Sequence, residues 1–576
     1  MSKLKVSIAL LMITLSAAVS GQTPTLDWVK FLEGDGSILI VDFGIDDSGN
    51  VYTTGYFLGS CDFSLGSSTN IIESENTQSF ILKQSENGDV IWVKFLHNLT
   101  VDSHNSVSKI SISTDESIIL TGSYTDEVDF DPDSGSEIME SELFGSKFIL
   151  KLNLEGEFIW VKEYDCFGIN SIQIDQNGDY IVAGSASFQT DFDPGAGEFI
   201  VDAGQVGSGY VAKFNSDWNL IWVSNFFGDQ NSIKRATVNS ENEIIALGCF
   251  KGIVDFDPGL SEYELESMTD GPFGSQSSQD LFLLKLNQNG GFINAVSLGS
   301  YDDDVPDALA IDSNDDIYFA FNFIDEIDID PSTEELNLSP LDDQIDAAIV
   351  KWNQNFELQW YKQVTGFGSE RIERLVLNEN DDLIAVGNTF GGPLPFYILP
   401  DNTEYNTTIA LRDGLLLGIS SSGNLQWVES LASESSVNLD LAAIDETGIY
   451  LPFRYMGSID FAPGNSVFIN STEPGDFDGV ILKLSNNYIS SLSELNSENS
   501  EVIIFPNPTI GIFNVVLPQL EGQINVNVYD QMGKLITSER KNTSFFQIEI
   551  NEAPGLYFIE LRDEDALHES RKVLVH

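Results

Sequence analysis

The chain is 576 residues long, with 27 Lys+Arg against 90 Asp+Glu and a formal net charge of −63. A surface this negative repels nucleic-acid phosphates and anionic membranes, which argues against both as partners. Three cysteines, Cys61, Cys166 and Cys249, are an odd count and rule out a full disulfide framework, so they read as small buried hydrophobes.

Residues 1–21 read as a secretory signal: Lys3 and Lys5 precede an apolar run from Val6 to Ala18, with Ser20 and Gly21 beyond it. The run is too short for a stable membrane anchor, and no later apolar run is long enough to span a bilayer. No cysteine stands at the junction to carry a lipoprotein anchor. The expected product is an exported, soluble monomer without a transmembrane anchor.

Residues 22–487 repeat. Trp28, Trp92, Trp160, Trp222, Trp360 and Trp427 recur at similar intervals, with Asn294 standing in the series where a tryptophan is due. A fixed period this long is the signature of stacked supersecondary units. Each copy holds about four short strands, a to d, rich in β-branched and aromatic residues. In the third copy these are SIQI, YIVAG, YVAKF and LIWVSN. The a–b turns need a residue that tolerates positive φ, which Gly49 and Gly178 supply.

The two ends of the array are out of phase. It begins with a lone d-type strand around Trp28 and ends with a lone a–b–c set that stops near Leu484. Pairing the two completes a seventh four-stranded unit, whereas an open array would leave an unpaired edge. The expected fold is all-β, a seven-bladed β-propeller closed by its N-terminal strand.

The most conspicuous polar motif lies between strands b and c. It reads Asp129-Phe130-Asp131-Pro132, Asp191-Phe192-Asp193-Pro194, Asp255-Phe256-Asp257-Pro258 and Asp328-Ile329-Asp330-Pro331. Weaker versions stand at Asp62-Phe63-Ser64 and Asp460-Phe461-Ala462, and the sixth copy has GGPLPFYILPD instead. In an extended segment residues i and i+2 face the same way, so Asp129 with Asp131, Asp191 with Asp193, Asp255 with Asp257 and Asp328 with Asp330 could converge on a Ca2+ ion. The competing reading gives the aspartates to turn amides and the Phe to packing, and it suits the small number of ligands per copy better. The a–b turns at Asp175, Asn177 and Asp179, and at Asp312, Asn314 and Asp316, echo calcium loops but lack the later Glu, so they read as β-turns.

Catalytic signatures are absent from the sequence: no GxSxG elbow, no Cys–His pairing, no HExxH. His97 and His104 read as ordinary exposed residues, and His568 and His576 fall in the C-terminal block. Carboxylate pairs suited to glycoside cleavage arise by chance among 90 acidic residues. Arg235, Arg371 and Arg374 stand out in so acidic a chain, just before strands a, where they could line a channel mouth and bind an anion or simply neutralise acidic neighbours.

Residues 488–501, rich in Ser, Asn and Glu, read as a linker. Residues 502–576 then show seven short alternating strands, as in a small Ig-like β-sandwich. This block carries Phe505-Pro506-Asn507-Pro508-Thr509, Gly511 and Phe513, then Val528-Tyr529-Asp530, Gly533-Lys534, Pro554-Gly555-Leu556-Tyr557 and a terminal Lys572-Val573-Leu574-Val575. It resembles the type A C-terminal sorting domain of the type IX secretion system of Bacteroidota. The resemblance implies recognition by that machinery through residues 502–576, export across the outer membrane, and release or attachment at the surface of a Gram-negative cell. The expected function is non-enzymatic binding or adhesion toward an extracellular glycan or protein, through the loop face. The alternatives are a polysaccharide-active hydrolase or lyase on the same scaffold, and a calcium-stabilised structural component.

Overall fold

The computed structural model describes residues 23–485, apart from residues 36, 65–69, 114, 142–144, 165–167, 196, 269–277, 333–334, 342–343, 393–394, 402, 407–411, 463–467 and 473–476, together with seven strands between residues 503 and 575. The expected signal, the linker, Cys166 and the Pro506–Gly511 motif lie outside the described residues. The chain divides into two compact units, residues 1–488 and 489–576. All regular structure among the described residues is β.

Alternating β-branched and aromatic runs give each repeat an antiparallel four-stranded meander. The fourth repeat is typical: Asn231–Val238, Ile244–Phe250, Asp280–Leu286 and Phe292–Leu298 pair in that order. Strands b and c are buried on both faces and form the cores between successive sheets, so they read as continuous apolar runs. The seventh repeat has a short first strand, Ala443–Ile444, then Gly448–Met456 and Asp478–Ser485. Its fourth strand is Leu26–Leu32 from the other end of the chain, antiparallel to Asp478–Ser485 with Leu32 opposite Gly479.

One contact joins repeat to repeat, and it explains the tryptophan period. The turn between strands c and d needs positive φ at its fourth residue, met by Gly88, Gly156, Gly290 and Gly423. The tryptophan of the preceding d strand lies against that glycine: Trp92 on Gly156, Trp222 on Gly290, Trp360 on Gly423. A Cβ on Gly290 would sit 2.7 Å from the Trp222 ring, so no larger residue fits without moving it. Trp28 lies against Gly88 in the same way, and Lys483 Nζ donates to the Glu86 carbonyl (3.3 Å) as Lys83 does to Leu154 (3.0 Å) and Lys151 to Ser216 (3.1 Å). The N-terminal strand thus makes against the first repeat the same pair of contacts seen between several successive repeats. Two c–d turns carry a bulky residue in place of the glycine: Trp218 (φ 59°), stacked on Phe214, and Phe356 (φ 65°), buried against Trp352; the second belongs to the repeat that follows the strand with Asn294 in place of tryptophan.

Among the described residues, four d–a connections run beside the b–c segment of the repeat that follows. Glu33 bridges to Asp62, His97 pairs with Asp129, Gly228 bridges to Val254 and Ser433 to Ile459. In the sixth repeat the b–c hairpin, Pro395–Leu399 with Thr403–Asn406, instead pairs with the preceding fourth strand, Leu358–Gly366. That strand edge is thereby covered, and the departure from the repeated motif has a structural counterpart. Cys61 and Cys249 are buried free thiols, and burial pushes the Cys61 thiol up to about 12. Among the described residues, the C-terminal unit has seven strands in two antiparallel sheets, Ile503–Phe505, Ile512–Val516 and Phe545–Glu549 in one, and Leu535–Lys541, Ile524–Asp530, Gly555–Arg562 and Leu567–Val575 in the other.

Candidate functional site

The paired aspartates between strands b and c close turns. Asp255 Oδ1 accepts the amides of Asp257 (3.0 Å) and Tyr263 (2.8 Å), and Asp257 Oδ1 accepts that of Gly259 (2.8 Å). Asp129 serves Asp131 and Glu137, with Asp131 serving Asp133. Asp191 serves Asp193 and Phe199, with Asp193 serving Gly195. Asp328 serves Asp330 and Leu336, with Asp330 serving Ser332. The intervening Phe130, Phe192 and Phe256 are fully buried and pack edge-on or tilted against Phe148, Tyr210 and Phe282 of strand c, at 4.6–4.8 Å between ring centres. Among the described residues, no three His, Cys, Asp or Glu side chains are grouped to hold a metal ion.

The a–b turns likewise hold a lysine. Lys213 bridges Asp175 (2.6 Å) and Asp179 (3.1 Å), and Lys351 bridges Asp312 (2.9 Å) and Asp316 (3.1 Å). For the b–c aspartates, the expected result is that Asp255→Ala lowers stability by about 1 kcal/mol, because two turn amides, one part-buried and one exposed, lose their acceptor. Asp255→Asn keeps that oxygen and is expected to cost less than half as much. Chemical denaturation of the two variants, with and without EDTA, checks this; a midpoint that falls on EDTA addition would restore the calcium reading.

The first strands of all seven repeats line one cavity of about 530 Å3, from Asp42 in the first to Ala443 in the seventh. A shared irregularity shapes its wall. In six repeats the a–b register slips by one residue at the same place, between Ile40 and Asp42, Val107 and Lys109, Ile169 and Ser171, Ile233 and Arg235, Pro306 and Ala308, and Ile372 and Arg374. Such a bulge re-aims the side chains beside it. The residue after the bulge lines the cavity at Asp42, Lys109, Ser171, Arg235 and Arg374, and the bulged residues themselves include Asp307 and Glu373.

These charges perturb one another. Burial pushes the Asp307 carboxyl up to about 7, with the Glu373 charge adding to it and Arg235 and Arg371 opposing. Glu373 is raised by burial and by Asp440, against Arg412, Arg371 and Arg235. The Asp42 charge favours the charged form of Lys109, but burial and the nearby Arg235 and Arg374 outweigh it, and its pKa falls. Asp42 Oδ2 accepts the Ile110 amide (3.2 Å), and Arg235 Nη1 donates to the Lys234 carbonyl (3.3 Å). Arg235 Nε is buried without a partner.

Sequence reasoning had picked out Arg235 and Arg374, and both line the cavity. Arg371 does not; its guanidinium lies 5.9 Å from the centre of the Phe390 ring. Asp42, Lys109, Asp307 and Glu373 were missed. A signal existed: Asp42, Lys109, Ser171, Arg235, Ala308 and Arg374 each stand four residues before the residue that opens the a–b turn.

No curated protein matches the chain. Distant likenesses are found to the virginiamycin B lyase of Staphylococcus aureus solved with quinupristin (9% identity over 79% of this chain and 99% of the lyase, TM-score 0.34) and to a protein of unknown function from Bacteroides caccae (11% identity over 61% and 89%, TM-score 0.27). A third is to PorZ of Porphyromonas gingivalis, a surface component of the type IX secretion system (11% identity over 94% and 82%, TM-score 0.22). Residues 503–576 match the family model of the secretion system C-terminal sorting domain. The matched stretch holds all seven strands of the C-terminal unit. The chain therefore carries the C-terminal sorting domain of the type IX secretion system and is a protein of the cell exterior, secreted or held at the outer surface.

Proposed function

We propose that residues 22–487 form a seven-bladed propeller, closed by Leu26–Leu32, and that this propeller is the cargo: an exported binding protein whose ligand enters the central channel. The closed ring is supported by the Trp28–Gly88 and Lys483–Glu86 contacts between the last and first repeats. The binding reading is carried by one observation. The wall of the channel is built from seven equivalent strands, yet the side chains it presents differ from repeat to repeat, with charges at Asp42, Lys109, Arg235 and Arg374. Scaffold positions repeat; these do not. A cavity of about 530 Å3 is within the range that holds a small ligand.

A second reading, a polysaccharide hydrolase or lyase, is favoured by Asp307 and Glu373. Both carboxyls are raised by burial among arginines, and raised carboxyls are candidate general acids. The two readings part on one experiment. The exported form, without signal and sorting domain, is tested on a glycan array and in parallel for released sugars. Retention without release is expected. Release that disappears in Asp307→Asn would establish the enzymatic reading instead.

A further inference from the structure

Three cations are drawn together in the channel without a direct ion pair. Elsewhere in the propeller, many cations are neutralised by direct contact: Lys151 on Asp115 (2.7 Å), Lys285 on Glu243 (2.6 Å), Lys362 on Asp401 (2.6 Å), Arg412 on Asp440 (2.8 Å). Others rest on carbonyls, Lys83 on that of Leu154 and Lys162 on that of Asp217. Lys109, Arg235 and Arg374 come from repeats two, four and six, and meet at one level of the channel wall. Among the described residues none of the three forms an ion pair within 4.0 Å, and neither Lys109 nor Arg374 makes a side-chain hydrogen bond.

The nearby carboxyls act on these cations only at longer range, Asp42 most strongly on Lys109, and none pairs with them directly. Asp42 faces the Ile110 amide, and Asp307 accepts a hydrogen bond from the Asn322 amide group. Asp307 and Glu373 are also held toward their neutral forms by burial. The Arg235 guanidinium keeps only a carbonyl on Nη1 and has a buried, unpartnered Nε. Leaving buried donors unsatisfied costs free energy that an acceptor in the channel would recover. A guanidinium takes carboxylate and sulfate groups with paired, charge-assisted hydrogen bonds.

We propose that the channel ligand is anionic, a small sugar acid or sugar sulfate whose charged group sits among Lys109, Arg235 and Arg374. This rests on the binding reading above and names the ligand class. It also resolves an apparent conflict: a chain with net charge −63 repels anions at long range, so capture of one requires a local cluster, screened by salt and enclosed by the channel.

The test uses the full exported chain in calorimetric titrations at physiological salt with glucuronate, glucose 6-sulfate, inorganic sulfate and glucose. Either or both of the two sugar anions is expected to bind, and glucose is not. Arg235→Gln and Arg374→Gln are each expected to weaken binding about tenfold or more. The exposed Lys251→Gln is expected to leave it unchanged, and thermal melts confirm that each variant is folded. Anion binding that survives both arginine variants would overturn the site. Inorganic sulfate binding as tightly as the sugar anions would overturn the sugar assignment. If the array finds a neutral glycan whose binding ignores both variants, the anion proposal falls while the binding reading stands; if neither array nor titration finds a ligand, both fall.

Discussion

Asp304→Asn is expected to stabilise the chain at pH 9 and to leave it unchanged near pH 4. Asp304 is fully buried at the entry to the first strand of the fifth repeat, Val305–Ile311. Its Oδ2 accepts the Ser300 amide (2.7 Å), and Oδ1 lies 3.0 Å from the Ser300 hydroxyl. Burial pushes the carboxyl up to about 8, with the charges of Asp280 and Asp303 adding to the effect against the Ser300 hydrogen bonds. Asp280, itself buried, is pushed up to about 6. The sign follows directly. The folded chain keeps this proton up to about pH 8, whereas an unfolded chain releases it near 3.8. Across that window the folded state binds more protons, so stability falls as pH rises and levels off above about 8.

Asparagine is the isostere of the protonated carboxyl: its oxygen can take the Ser300 amide and its NH2 can donate to the Ser300 hydroxyl. The repeat already uses that solution. Asn105 and Asn231 occupy the same position in the second and fourth repeats, buried, with Oδ1 accepting the Ser79 and Gly209 amides of the preceding repeat. A shift of this size corresponds to several kcal/mol at about 1.4 kcal/mol per pKa unit; allowing for the coupling to Asp280, about 2 kcal/mol of gain at pH 9 is expected. Guanidinium unfolding of both chains at pH 4, 7 and 9 checks it. A gap that widens with pH is the expected result, and parallel profiles would remove the protonated-carboxyl account.

Deleting residues 23–33 is expected to have the largest effect of any change considered, on the order of 5 kcal/mol or more. The deletion removes Leu32, fully buried, the Phe31 ring at 5.3 Å from Phe461, and the Trp28–Gly88 contact. It also strips the partner from Asp478–Ser485, leaving a row of unpaired amides and carbonyls on a hydrophobic strand. Size-exclusion chromatography and thermal melting of the truncated chain are expected to show self-association and a broadened, lowered transition. A synthetic peptide of residues 23–34 is expected to reverse that self-association by adding back the strand. A truncated chain that melts within a few degrees of the intact one would show that the junction contributes little.

Much of this architecture was legible in residues alone. Trp28 at one end and the strandless Leu484 at the other already called for each other, and the b–c aspartates already had turn amides as a competing use. The exception at Asn294 was visible but not interpretable, because nothing in the sequence ties it to the bulky turn residue Phe356, 62 positions later. The channel was harder. A bulge has no composition of its own, so Asp42 and Lys109 looked like any polar residue on an alternating strand. Only the slipped register separates the side chains that enter the cavity from those that do not. Asp304 was concealed for a different reason, since one buried carboxylate among 90 acidic residues has no sequence signature.

The pairing of Leu26–Leu32 with Asp478–Ser485 also has a consequence in time. Its partners are separated by roughly 450 residues, so it is the most non-local of the strand pairings. Closing an unstructured loop of that length would cost about 5 kcal/mol in chain entropy beyond a fixed constant, which local meanders largely remove by forming first. The segment made earliest must therefore wait, single and unpaired, until the last sheet has been delivered. Whatever crosses the inner membrane before residue 485 has emerged carries an open edge, and protection of that edge becomes a requirement of the export route.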